Sequence, residues 1–257
     1  MRNLFVFGDS FTQGHLLDTT FPPYHEWKEY RGTKLPLPWA DLLGRQLGFI
    51  VHNYAVAGMS NHEIFQEVCR HVREFSEGDI VIINWTYNHR FRWVIWDDDL
   101  NVYRWKRLSA KQEDGICIPE NVRENIVVNR SNSLYIDEIY EREELLEEMA
   151  TGKNIELYFW SSVVDIINDL PNVKLITKKY ILHDDIVKLP PTNISGQKKR
   201  SFFNTITKHG GKTITEETNG KVFDGGHLGE TGHQTQARLF YQYIKKFSPH
   251  IFEKNVI

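Results

Sequence analysis

A chain of 257 residues, 40 % hydrophobic and 25 % charged, has the composition of a soluble globular protein and room for one sizeable α/β domain or two small ones. A formal net charge of −3 excludes a general electrostatic pull toward nucleic acid or anionic membrane. The two cysteines, Cys69 and Cys117, match no metal-ligand spacing and read as free thiols of a reducing compartment. Residues 3–7 form a short apolar run that breaks at Gly8 and reads as a buried strand. That run is too short for the apolar region of a signal peptide, and no stretch approaches the ~18 apolar residues of a membrane span. A cytoplasmic protein without a membrane-spanning segment is therefore expected.

Pro22, Pro23, Pro36 and Pro38 mark a loop. Trp39, Leu42, Leu43 and Leu47 recur at helical spacing and predict a helix over 38–47, stopped by Gly48. A second strand is expected over 49–54. Ser60 with Glu63 has the form of a capping box, and the stripe Ile64, Phe65, Val68, Val72 and Phe75 predicts a helix over 61–75. Residues 79–85 are apolar with little alternation, as in a parallel strand covered on both faces. Residues 90–132, rich in Arg, Trp and Asp, read as an insertion of loops or a hairpin. An acidic helix with a solvated charged face is expected over 134–150. Strands are expected over 155–160 and 173–177, loop with one short helix near 200–207 over 180–222, and a last helix over 230–247. The alternation of strands and helices predicts one doubly wound α/β domain over 1–257.

In an open parallel sheet, ligands bind beyond the carboxyl ends of the strands. Gly8-Asp9-Ser10 follows the first strand, Gly58 the second, Asn88 the third, and Asp224-Gly225-Gly226-His227 precedes the last helix. A serine hydroxyl is a weak nucleophile that needs a base. His227 is the best base in the chain, and Asp224, two glycines away, is spaced to fold back on its ring as an orienter. Gly58 can offer an unshielded backbone N–H, Asn88 a side-chain amide and Ser10 its own backbone N–H to a developing oxyanion. Each feature also has a plain structural reading. A Ser after Gly-Asp is commonly a turn or cap residue, Gly58 a turn glycine, Asn88 a loop cap, and Asp-Gly-Gly-His a turn into a helix. His233 is a rival base, but it falls inside the predicted last helix.

Taken in order, these blocks resemble the SGNH hydrolases, the GDSL lipase and acylesterase family. Gly8-Asp9-Ser10-Phe11-Thr12 matches the first block, with Phe11 where the family often has Leu. Gly58 matches the second, Thr86-Tyr87-Asn88-His89 the third, and Asp224 with His227 the fourth. The third block departs from Gly-x-Asn-Asp: Thr86 replaces the glycine and His89 the second acid. The resemblance implies a three-layer α/β/α fold around a mostly parallel five-stranded sheet, of flavodoxin-like form. It implies an esterase with Ser10, His227 and Asp224 as triad and Ser10, Gly58 and Asn88 as oxyanion hole. It gives Asp9 a structural role and requires no metal or cofactor.

The insertion carries Trp93, Trp96, Tyr103 and Trp105 among arginines and would lie beside Asn88. Flat aromatics with polar neighbours suit a sugar face, and arginines suit acidic groups on a glycan. Trp93, Trp96 and Trp105 are therefore candidate substrate contacts, and an O-acetyl ester on a carbohydrate is the expected substrate. The plain alternative is a small mini-core under a long loop. The family resemblance also admits a phage or envelope-glycan setting. Three other readings stand beside this one. They are a lipase or acyltransferase of the same family, an inactive glycan-binding module, and a nucleotide binder using 8–14 as a phosphate loop, which lacks the Gly-Lys-Ser/Thr ending.

Overall fold

The computed structural model describes residues 2–14, 37–86, 90–97, 102–109, 132–161, 181, 202–220 and 227–253. Among these, six strands form: β1 (Asn3–Phe7), β2 (Ile50–Asn53), β3 (Ile80–Trp85), β4 (Arg90–Asp97), β5 (Val102–Ser109) and β6 (Glu156–Ser161). Four of them make one sheet in the order β2-β1-β3-β6, every pair parallel. The fifth strand expected over 173–177 lies outside the described residues. The described helices are α1 (Ser10–Gln13), α2 (Trp39–Leu47), α3 (Asn61–His71), α4 (Asn132–Lys153), α5 (Phe202–Lys208), α6 (Ile214–Glu217), α7 (Glu230–Phe247) and α8 (His250–Glu253). No helix among the described residues is long and apolar enough to cross a membrane.

Both faces of the sheet are covered, which is why its central strands are apolar apart from Asn3 and Asn84. Phe5 and Phe7 alternate to one face, where Phe7 meets His71 of α3 and both rings meet Phe75. Trp85 and Phe159 stack on that same face at 6.1 Å. Trp160 points to the other face, packing edge-on against Trp39 of α2 and Phe240 of α7. All three of these rings are fully buried. Burying a large apolar side chain contributes roughly 1.5–3 kcal/mol, so this aromatic cluster is a principal anchor of α2 and α7 on the sheet.

The capping box forms as the spacing predicts: Glu63 N–H donates to Ser60 Oγ at 3.4 Å, and Ser60 N–H donates to Glu63 Oε2 at 3.0 Å. The predicted helix ends earlier, passing into a 3₁₀ turn over Val72–Glu74. On α4 the buried positions Ile139, Glu143, Leu146 and Ala150 make one stripe. Its acidic residues are thus not all solvated: Glu143 lies in the core and accepts from Trp85 Nε1 at 2.6 Å. The insertion holds a regular antiparallel hairpin of β4 and β5.

Between β1 and β2 in the chain, α2 packs on one face, and α3, between β2 and β3, packs on the other. The sheet order therefore switches between the neighbouring strands β1 and β3. A doubly wound sheet opens its binding crevice at such a switch point. The residues at the carboxyl end of β1 are Gly8, Asp9 and Ser10.

Candidate active site

The turn after β1 is tight. A Cβ on Gly8 would overlap Thr12 Oγ1 and stand 2.7 Å from Asn84 Cβ, so only glycine lets α1 fold back onto the strand end. Sequence reading expects a loop after Ser10; the structure has one turn of helix. Asp9 caps it, its Oδ1 accepting from Phe11 N–H at 3.1 Å. Ser10 is the first helical residue and is 5 % exposed.

Ser10 Oγ and His227 Nε2 lie 3.0 Å apart in a hydrogen bond that joins residues 217 positions distant. His227 is fixed from its backbone and its ring. Its carbonyl accepts from Ile214 N–H at 3.0 Å, and its neighbour Leu228 bridges Thr213. The ring stacks on Phe11 at 4.9 Å. For Nε2 to accept from the serine, Nδ1 must carry the ring proton and needs an acceptor. Asp224, assigned that task by spacing, lies outside the described residues, as does Asn88.

Gly58 has φ +76°, the left-handed region that favours glycine. Its loop is tied to the serine turn on both sides. Val56 N–H donates to Gly8 O at 3.1 Å, and Ala57 N–H donates to Gln13 Oε1 at 2.8 Å. Asn53 adds a third tie, donating to Thr12 O at 3.2 Å while accepting from Ala55 N–H at 3.1 Å. Trp93, Trp96 and Trp105 fall on the hairpin, where Trp93 is opposite Lys106, Trp96 opposite Tyr103 and Val94 opposite Trp105.

Beneath the serine is a polar cluster that sequence reading misses. Asp9 is fully buried. Its Oδ1 also accepts from Asn84 Nδ2 at 2.9 Å, and its Oδ2 accepts from Thr86 Oγ1 at 2.6 Å and Arg90 Nη1 at 2.7 Å. Arg90 Nη1 further donates to Thr86 Oγ1 at 2.8 Å. Asn61 holds the backbone of Thr86 from both sides, accepting from its N–H at 2.6 Å and donating to its carbonyl at 2.8 Å. A buried carboxylate is tolerated only with such compensation. Thr86 is fully buried, and its hydroxyl supplies a donor that the glycine of the family pattern lacks. The sequence signals for this cluster are that departure and the structural role the resemblance gives Asp9.

His233 is 3 % exposed, and its Nδ1 accepts from Trp39 N–H at 3.3 Å, serving the otherwise uncapped start of α2. Burial, with a smaller contribution from the nearby His227 charge, pulls its pKa down to about 3. A general base works best near the operating pH, so His233 is unsuited to the role. The start of α7 is capped from outside as well. Glu217 accepts from Glu230 N–H at 3.0 Å, Thr231 N–H at 2.7 Å and Thr231 Oγ1 at 2.6 Å.

A scan against protein-family models finds no match, and a search of curated proteins finds none. Among solved structures the chain is similar to a protein of Bacillus subtilis, at 12 % identity and a TM-score of 0.46 over 95 % of this chain and 56 % of that one. It is similar to an acetyl xylan esterase from the rumen bacterium Butyrivibrio proteoclasticus, at 13 % identity and a TM-score of 0.43 over 95 % of this chain and 64 % of that one. It is also similar to a member of the lipolytic protein G-D-S-L family from Veillonella parvula, at 12 % identity and a TM-score of 0.39 over 94 % of this chain and 97 % of that one. Each is a distant likeness.

Proposed function

We propose that the protein is a serine esterase of one catalytic domain, acting through an acyl-enzyme on a short-acyl ester, an O-acetyl group on a carbohydrate. The observation that carries the reading is the 3.0 Å hydrogen bond between Ser10 Oγ and His227 Nε2 at the switch point of the sheet. Ser10 Oγ attacks the ester carbonyl while Nε2 takes its proton. Asp224 holds the Nδ1–H and balances the imidazolium. The tetrahedral oxyanion is stabilised by the N–H groups of Ser10 and Gly58 and the side-chain amide of Asn88. Nε2 returns the proton to the leaving alcohol, which departs and leaves the acyl-serine. Water, deprotonated by the same nitrogen, then releases the acid. Trp93, Trp96 and Trp105 on the hairpin supply flat surfaces for the sugar.

The test is turnover of p-nitrophenyl acetate by the wild-type protein and by Ser10→Ala. A loss of about 10³-fold or more in kcat is expected. Equal turnover by the two proteins would refute the assignment. Acetylated xylo-oligosaccharides set against p-nitrophenyl palmitate then address the substrate: acetate release without palmitate release is expected, and the reverse would point to a lipase.

A further inference from the structure

Arg90 is the first residue of β4, and its guanidinium reaches back to the serine turn. Its side chain is 19 % exposed, while Asp9 is 0 % exposed. Nη1 meets Asp9 Oδ2 at 2.7 Å and Thr86 Oγ1 at 2.8 Å. Two consequences follow from that placement. First, Thr86 and Arg90 are both tied to one carboxylate, which itself caps the serine helix. Second, Asp9 is the residue before Ser10. A bare buried carboxylate there would oppose the negative charge that grows on the oxyanion, because charges act strongly where water is excluded.

We propose that Arg90 is a positioning residue of the esterase centre, neutralising Asp9 and fixing Thr86 and the start of β4 against the serine turn. The inference rests on the esterase reading above. It acts on the transition state rather than on substrate binding, so its loss lowers kcat and leaves KM nearly unchanged.

The test compares wild type, Arg90→Gln, Arg90→Lys, Asp9→Asn and the double variant Asp9→Asn/Arg90→Gln. Each is assayed on p-nitrophenyl acetate for kcat and KM, and on a fluorophosphonate for the labelling rate of Ser10. Arg90→Gln should lower kcat on the order of 10- to 100-fold with KM within about threefold. Arg90→Lys, which restores the charge without the fork, should recover most of that loss. The double variant removes both charges. Its amide at position 9 can still accept from Phe11 N–H and Asn84 Nδ2, and can donate to the new amide oxygen at position 90. It should turn over within about tenfold of wild type, well above the product of the two single effects.

An unchanged kcat in Arg90→Gln would overturn the inference alone, as would a double variant whose loss equals that product. Should Arg90→Gln fail to fold, the double variant decides: a folded, active protein supports the pairing, and an unfolded or inactive one overturns it. A folded wild type inert to both reagents would overturn the esterase reading and this inference with it.

Discussion

The hydroxyl of Thr86 lies 2.6 Å from Asp9 Oδ2, at the position where the block pattern has glycine. Both residues are fully buried, so the bond is made without competition from water. Thr86→Val keeps the shape and removes the donor. It should cost about 1–3 kcal/mol of stability, read by urea unfolding, while Thr86→Ser stays near wild type. Equal unfolding midpoints for all three would show that the bond contributes nothing net. His233 gives a second single-residue consequence. Its pKa near 3 in the folded chain stands against 6.5 when unfolded, so the unfolded chain takes up the proton first as pH falls. Its contribution to stability is full above about pH 6.5 and declines as pH drops toward 3, by ~1.4 kcal/mol per unit. His233→Asn retains an acceptor near Nδ1 and cannot titrate. Between pH 7 and pH 5 it should lose ~2 kcal/mol less than wild type. Parallel pH profiles for the two would contradict the assignment of a buried, neutral ring.

Among the elements, α7 shows how His227, the proposed base, is set. Gly229 at its start has no side chain to cap it, and the carboxylate of Glu217 on α6 does so instead. Glu217→Ala strands these N–H groups and should cost about 1–2 kcal/mol. Because His227 stands just before α7, the same change should also slow Ser10 labelling; thermal melts and labelling rates read the two effects. The extent to which each element was legible in the sequence follows from its periodicity. The capping box and apolar stripe of α3 predicted its start, and α7 forms over the span its pattern gives. The one-turn helices α1 and α6 were invisible, because four residues carry no helical period. Asn61, Arg90 and Glu217 were missed for a related reason. Their partners lie 25, 81 and 13 residues away in the chain, and no local pattern encodes a contact of that kind. Glu143, expected to face solvent, turns inward to Trp85, and the surrounding acidic run hides it.

For the molecule as a whole, the sheet order β2-β1-β3-β6 determines where chemistry can occur. The switch beside β1 brings the serine turn, the Gly58 loop and the His227 turn to one rim of the sheet. Ser10, Gly58 and His227 could be read as candidates because strand ends are the positions this architecture uses for ligands. Asp224 and Asn88 remain assigned by spacing and resemblance. The hairpin of β4 and β5 joins that rim through Arg90, so the segment proposed to hold the sugar is rooted in the cluster beneath Ser10. The central claim is that Ser10 is a nucleophile activated by His227. The most direct measurement is fluorophosphonate labelling of the wild-type protein and of His227→Ala, with the modified peptide mapped by mass spectrometry. The account predicts a single label on Ser10, formed at least about 10²-fold more slowly in the variant. A label on another residue, or an unchanged rate without the histidine, would contradict it.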